Sequence, residues 1–227
     1  LTKSQKLLLT AATLSVALWA IPIARYLILP LDYLNTHFHE LAHAIMAIIT
    51  GGEPDYIHVY ADGSGVTPVM GGNVFLVASA GYPGTAILGA SLIIAGKTPE
   101  NSSKLLKTLA ITLLISLITL IRGDIVGIIS AMVWIPTLWL LSLKLKGENL
   151  QFASQVLGVQ MCFTAFQALL TLLSISATSN IPTDAQILQQ TTWIPDIVWA
   201  SLWTLFSLII VIFSLKTVWS PVRIKDR

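Results

Sequence analysis

Seven nearly uncharged apolar runs, at roughly 7–29, 34–50, 74–96, 105–121, 125–143, 151–177 and 195–215, constrain this chain more than any other feature. About 20 apolar residues of helix cross the hydrocarbon core of a bilayer, and hydrocarbon admits only structures whose backbone hydrogen bonds close on themselves. The runs predict an all-α polytopic membrane protein of about six to seven transmembrane helices, the second of them short, forming one membrane domain over 1–227. Composition agrees: 11% of residues are charged and the mean hydropathy is +0.78, whereas about a quarter of a soluble domain is charged. A net charge of +2 spread along the chain excludes nucleic acid as a partner, because nucleic-acid binders gather Lys and Arg on one face. The lipid bilayer is the first partner. Cys162, the single cysteine, leaves no intrachain disulfide and reads as a small buried hydrophobe. Lys3 and Lys6 ahead of the first run suggest a signal peptide, but the run continues to Leu29, broken only by Pro22 and Arg25. That is too long for an apolar signal core of about 7 to 15 residues, so it reads as a retained span.

Between the second and third runs lies a polar interlude, 51–73. Within it, 56–60 and 66–69 flank Asp62-Gly63-Ser64-Gly65, the pattern of a β-hairpin with a glycine-rich turn. A lone hairpin is marginal in water, so this one is expected to rest on the membrane domain, where its edge can pair with an extended peptide. In the third run, Ser79-Ala80-Gly81-Tyr82-Pro83-Gly84 predicts a break or a tight helix crossing. Cations gather at Lys97, Lys104 and Lys107, at Lys144 and Lys146, and at Lys216, Arg223, Lys225 and Arg227. Seven crossings put these clusters on one face, cytoplasmic by the positive-inside rule. The N-terminus, the hairpin and the loop 178–194 then share the opposite face, the N-terminus changing sides if the first run does not fully cross.

One run carries chemistry. In His39-Glu40-Leu41-Ala42-His43 the two histidines are four residues apart, so on a helix their imidazoles project from one face and can grip one metal ion. Zinc suits the set, because imidazole and carboxylate are its usual ligands and a catalytic site keeps one position for water. Glu40 stands where it can take a proton from a metal-bound water, whose pKa zinc lowers towards about 7, and pass it to a leaving amine. An ionised side chain at this depth costs roughly 2.5 kcal/mol or more, which makes ionisable groups here functional by default. The competing reading is a polar patch for a lipid headgroup or a neighbouring helix. His37 faces away from the His39 and His43 stripe and reads as a support behind the ligands or an interfacial residue, not as a ligand, and His58 reads as a hairpin surface residue.

His39-Glu40-Leu41-Ala42-His43-Ala44, Thr50-Gly51-Gly52, Asp62-Gly63-Ser64-Gly65 and Ala80-Gly81-Tyr82-Pro83-Gly84, followed by Thr183-Asp184-Ala185, Ile194-Pro195 and 199–203, resemble in this order the compact B-type branch of the site-2 protease family. These are membrane-embedded zinc metallopeptidases, and the likeness covers most of the chain. It implies a zinc-dependent intramembrane endopeptidase that hydrolyses peptide bonds of membrane proteins, with Zn2+ as cofactor, His39 and His43 as ligands and Glu40 as base. The expected partner is a membrane-protein or peptide substrate. The expected location is a bacterial plasma membrane or an organellar membrane such as the thylakoid.

The wider family draws a third ligand from a Leu-Asp-Gly motif, which this chain lacks. Carboxylates in or near the later runs are Asp124, Asp184 and Asp196, with Glu148 on the cytoplasmic side. His43 sits about 10 Å from the Gly51 end of its helix, at 1.5 Å per residue. The matching depth on the sixth run, Thr164 to Gln167, offers no carboxylate at either position. Asp184, within the resembling stretch, is the expected third ligand if 178–194 folds back into the domain. Asp124 is the alternative, with an Arg122 salt bridge as its plainer role. The missing motif supports a second reading, a proteolytically inactive relative acting as an assembly factor or subunit of a larger membrane complex. A transporter would show two related halves with paired broken helices, and no such repeat is seen.

Overall fold

Apolar runs become helices because only internal hydrogen bonding satisfies their backbone away from water. The computed structural model describes residues 1–20, 25–175 and 183–220, with the backbone alone at 19–20, 25–27 and 164–175. In chain order the elements are α1 (Lys3–Ala20), α2 (Arg25–Ile49), β1 (Glu53–Pro54), β2 (His58–Val59), β3 (Gly65–Val66), β4 (Val69–Met70), α3 (Val74–Ala78) and α4 (Gly81–Ala95). They continue with α5 (Pro99–Thr119), α6 (Ile125–Lys144), α7 (Gly147–Ile175), α8 (Asp184–Thr192) and α9 (Asp196–Trp219). Among the described residues α5, α6 and α9 are long and apolar enough to cross a membrane, and α4 is a shorter apolar helix. Their outward faces carry Ile115, Ile118, Val133 and Phe213, each more than half exposed, an arrangement that lipid rewards and water does not. Inside, Leu92, Leu106, Leu113 and Leu138 are fully buried. Helices α4 and α7 cross closely at Gly89 and Gly158, where a Cβ on either would lie 2.6 Å from the other's carbonyl oxygen.

Several boundaries differ from the sequence reading, each for an identifiable reason. The gap placed between the first two runs, at 30–33, is helical: α2 starts at Arg25 and runs through Pro30, Asp32 and Asn35. Polar residues do not end a helix without a cap or a breaking glycine. The stretch 178–194 is not all loop, because α8 occupies Asp184–Thr192. Thr183 caps it, accepting from the Gln186 N–H while the Gln186 side chain accepts from the Thr183 N–H, a reciprocal capping box. The break in the third run falls at Ser79 and Ala80, whereas Pro83 sits in the first turn of α4, where the missing N–H would have had no helical partner.

The interlude forms two short antiparallel ladders. His58 pairs with Val66 and Val59 with Gly65, while Glu53 pairs with Met70 and Pro54 with Val69. Ile57 and Val59 are fully buried beneath them. The Ile57 N–H donates to the Leu120 carbonyl at 2.9 Å and its own carbonyl accepts from the Arg122 N–H at 3.0 Å, which welds the hairpin to the α5–α6 corner. At that corner Arg122 and Asp124 do not form the expected salt bridge. The Arg122 guanidinium donates to the carbonyls of Ile118, Thr119 and Ile121 at the end of α5, and the Asp124 carboxylate accepts from the Val126 N–H as the cap of α6. Each charge satisfies a helix end that would otherwise be left open. His58 is likewise no free surface residue, since its Nε2 accepts from the Asp124 N–H at 2.9 Å.

The N-terminus lies on the lysine-rich side, not opposite it. The Lys3 ammonium pairs with Glu148 at 2.7 Å, and the Gln155 amide donates to the Ser4 carbonyl at 3.2 Å. Lys97 from the same end donates to the Thr217 carbonyl at the close of α9. Arg223, Lys225 and Arg227 lie outside the described residues.

Candidate metal centre

His39 and His43 project from one face of α2, one turn apart. Their rings meet edge to face with centroids 4.7 Å apart, and their Nε2 atoms are separated by 3.0 Å. The first residue of α8 completes the group: Asp184 Oδ2 lies 3.1 Å from His39 Nε2 and 3.3 Å from His43 Nε2. These three side chains could hold a metal ion. Zinc bonds of 2.0–2.2 Å at tetrahedral angles separate neighbouring ligand atoms by about 3.3 Å, so the observed spacings fit three of its four positions to within a few tenths of an ångström.

Neighbouring groups fix these three. His43 Nδ1 donates to the Val77 carbonyl at 2.7 Å, which leaves the Nε2 lone pair facing the centre. Gly81 makes room for both rings, since a Cβ there would stand 2.4 Å from His39 Nε2 and 2.6 Å from His43 Nε2. The Tyr82 ring lies edge-on to His39 at 4.5 Å and backs onto Trp203. Ala185 and Leu188 of α8 pack with Ala78, Tyr82 and Trp203, so the cluster that braces His39 also seats Asp184.

Glu40 is buried on the adjoining face of α2, towards the hairpin. The Thr67 hydroxyl donates to Glu40 Oε2 at 2.7 Å and lies 3.1 Å from the Glu40 carbonyl oxygen. Gly65 in β3 is packed so closely that a Cβ would come within 2.6 Å of Oε1. The Thr36 hydroxyl holds the turn through the Gly63 carbonyl at 2.6 Å. The hairpin thus restrains the carboxylate as well as covering it.

The remaining residues singled out from the sequence sit elsewhere. His37 is buried against α6, its Nε2 at 2.8 Å from Ser130 Oγ. Asp124 caps α6, Asp196 opens α9 and Glu148 pairs with Lys3, so none of them joins the group. The side chains of Thr164 and Gln167 lie outside the described residues. Gly81, Tyr82, Thr67 and the Val77 carbonyl were not assigned roles from the sequence. A glycine and an aromatic at the start of a broken helix were the available signal for the first two.

A helical membrane protein with two buried histidines and a half-buried aspartate able to hold a metal is the class defined by this fold and this centre. The chain belongs to the peptidase M50B-like family, whose model matches residues 8–214, and the family is of membrane metallopeptidase kind. No curated protein and no solved structure matches the chain.

Proposed function

We propose that the chain is a zinc-dependent intramembrane endopeptidase acting on membrane-protein substrates. The observation that carries this reading is the convergence of His39 Nε2, His43 Nε2 and Asp184 Oδ2 beside the buried carboxylate of Glu40. A bound zinc ion supplies Lewis acidity, which makes a water acidic and polarises a peptide carbonyl. His39 and His43 would hold it through Nε2 and Asp184 through Oδ2. Glu40 takes the proton of the attacking water at Oε1, the oxygen that Thr67 leaves unengaged, and returns it to the leaving amine. The Thr67 hydrogen bond keeps the carboxylate aimed through both transfers. Carbonyls of an intact transmembrane helix are shielded by their own hydrogen bonds, so the substrate unwinds before cleavage, and an open edge of the hairpin accepts the extended segment as an added strand.

Metal removal tests this reading. Purified protein is expected to contain close to one zinc per chain by elemental analysis. A chelator is expected to stop cleavage of a transmembrane reporter peptide, and stoichiometric zinc to restore it. Protein that binds no metal and cleaves nothing would instead be an inactive member of a membrane complex. The role of Asp184 has its own measurement. Asp184→Ala is expected to weaken zinc binding, read by competition with a chromophoric chelator, by more than about a hundredfold, since even the outer partners of metal ligands are worth about 10- to 100-fold. Wild-type zinc affinity in this variant would remove Asp184 from the ligand set.

A further inference from the structure

Asn35 stands one turn before His39 on α2, about 40° around the helix from it and therefore on the same face. It is only 5% exposed, and its Oδ1 is fully buried without a hydrogen-bond partner. Other buried amide and imidazole groups with an orphaned atom are at least half satisfied: Gln155 bonds through Nε2 to Ser4, and His37 through Nε2 to Ser130. Among the described residues the Asn35 amide makes no side-chain hydrogen bond at either end.

A serine hydroxyl can turn back to a carbonyl of its own helix, but an amide oxygen accepts only and waits for a donor from elsewhere. A leucine of nearly the same size would fill the position without an unmet polar group, so the fold gains nothing visible from the amide. What the position adjoins along its own helix face is His39, one turn further on. Resting on the endopeptidase reading, we propose that Asn35 is a substrate-binding residue whose side-chain amide pairs with the main chain of the unwound substrate segment beside the scissile bond. An unwound segment carries freed N–H and C=O groups that hydrocarbon cannot satisfy. A primary amide offers one acceptor and two donors, the complement of a peptide group.

The test uses the full chain in lipid nanodiscs with Glu40→Gln as the parent, so that zinc is held while turnover is blocked. The probe is a fluorescent polyleucine transmembrane peptide with a central Gly-Pro pair, compared with the same peptide lacking the pair. Asn35→Leu is expected to weaken binding of the Gly-Pro peptide at least tenfold, to leave binding of the uninterrupted helix unchanged, and to keep zinc content and thermal midpoint at or above those of the parent. Asn35→Ala gives the same comparison should leucine not fit. Affinity within twofold of the parent, or a midpoint lowered by several degrees in both variants, would overturn the proposal and make Asn35 a residue of the fold. A parent that holds zinc but binds neither peptide would overturn the endopeptidase reading itself, and this proposal with it.

Discussion

Glu40→Gln is expected to slow cleavage of a transmembrane reporter peptide by about 10³-fold or more while the purified variant keeps close to one zinc per chain. A positioned general base contributes about 10²- to 10⁴-fold, and 10³-fold corresponds to about 4 kcal/mol of barrier. Glutamine has nearly the same shape, and its amide oxygen can still accept from Thr67, which bonds Glu40 Oε2 at 2.7 Å. What it loses is the capacity to hold a proton. None of His39, His43 and Asp184 is altered, so the ligand set persists. A neutral amide is also cheaper to bury than a carboxylate, so the variant is expected to melt at or above the temperature of the native chain. Lost activity with retained metal and undiminished stability separates a proton carrier from a structural residue. Cleavage at the native rate would take Glu40 out of the mechanism, and loss of zinc would make it part of the metal's support.

Much of this arrangement was legible in the sequence because it rests on periodicities that survive without tertiary information. Two histidines four apart share a helical face in any environment, and uncharged runs of about 20 residues have few other places to go. Where the reading failed, the deciding information was a contact between distant segments or a local cap. Pro30 and Asp32 looked like a boundary between two runs, yet polarity alone does not stop a helix, and α2 passes through both. The stretch 178–194 looked like a loop by hydropathy, although Thr183 and Gln186 already spelled the start of α8. That cap matters beyond secondary structure, because it fixes Asp184 at the head of a helix whose Ala185 and Leu188 dock beside Tyr82. His58 and Arg122 could not have been placed from sequence, since one bonds across 66 residues and the other turns back on its own helix. The sequence likewise could not show that Lys3 meets Glu148, a contact that moves the N-terminus to the lysine-rich side.

The smallest substitution with a comparable expected effect is Gly81→Ala. Its added methyl group would lie 2.4 Å from His39 Cε1 and Nε2 and 2.6 Å from His43 Nε2, about an ångström inside ordinary contact. Something must move, and the surroundings favour the imidazoles as the part that yields. Helix α4 is held to α2 at Gly84, whose Cβ position is 2.8 Å from the Ala42 methyl, and to α7 by the Gly89 and Gly158 crossing. The His43 ring is tethered from behind by the Val77 carbonyl, so pushing it outward breaks that hydrogen bond as well. Metal and catalytic geometry tolerate errors of only about 0.5 Å. Gly81→Ala is therefore expected to carry less than a tenth of the native zinc and to cleave at background rate, with helical content by circular dichroism unchanged. Gly84→Ala supplies the contrast: its methyl group meets Ala42 and no ligand, so it strains a helix crossing and is expected to lower the melting temperature while the folded protein still binds zinc. Equal zinc loss in both variants would trace the effect to helix packing, and full zinc in Gly81→Ala would mean that the imidazoles do not converge against α4.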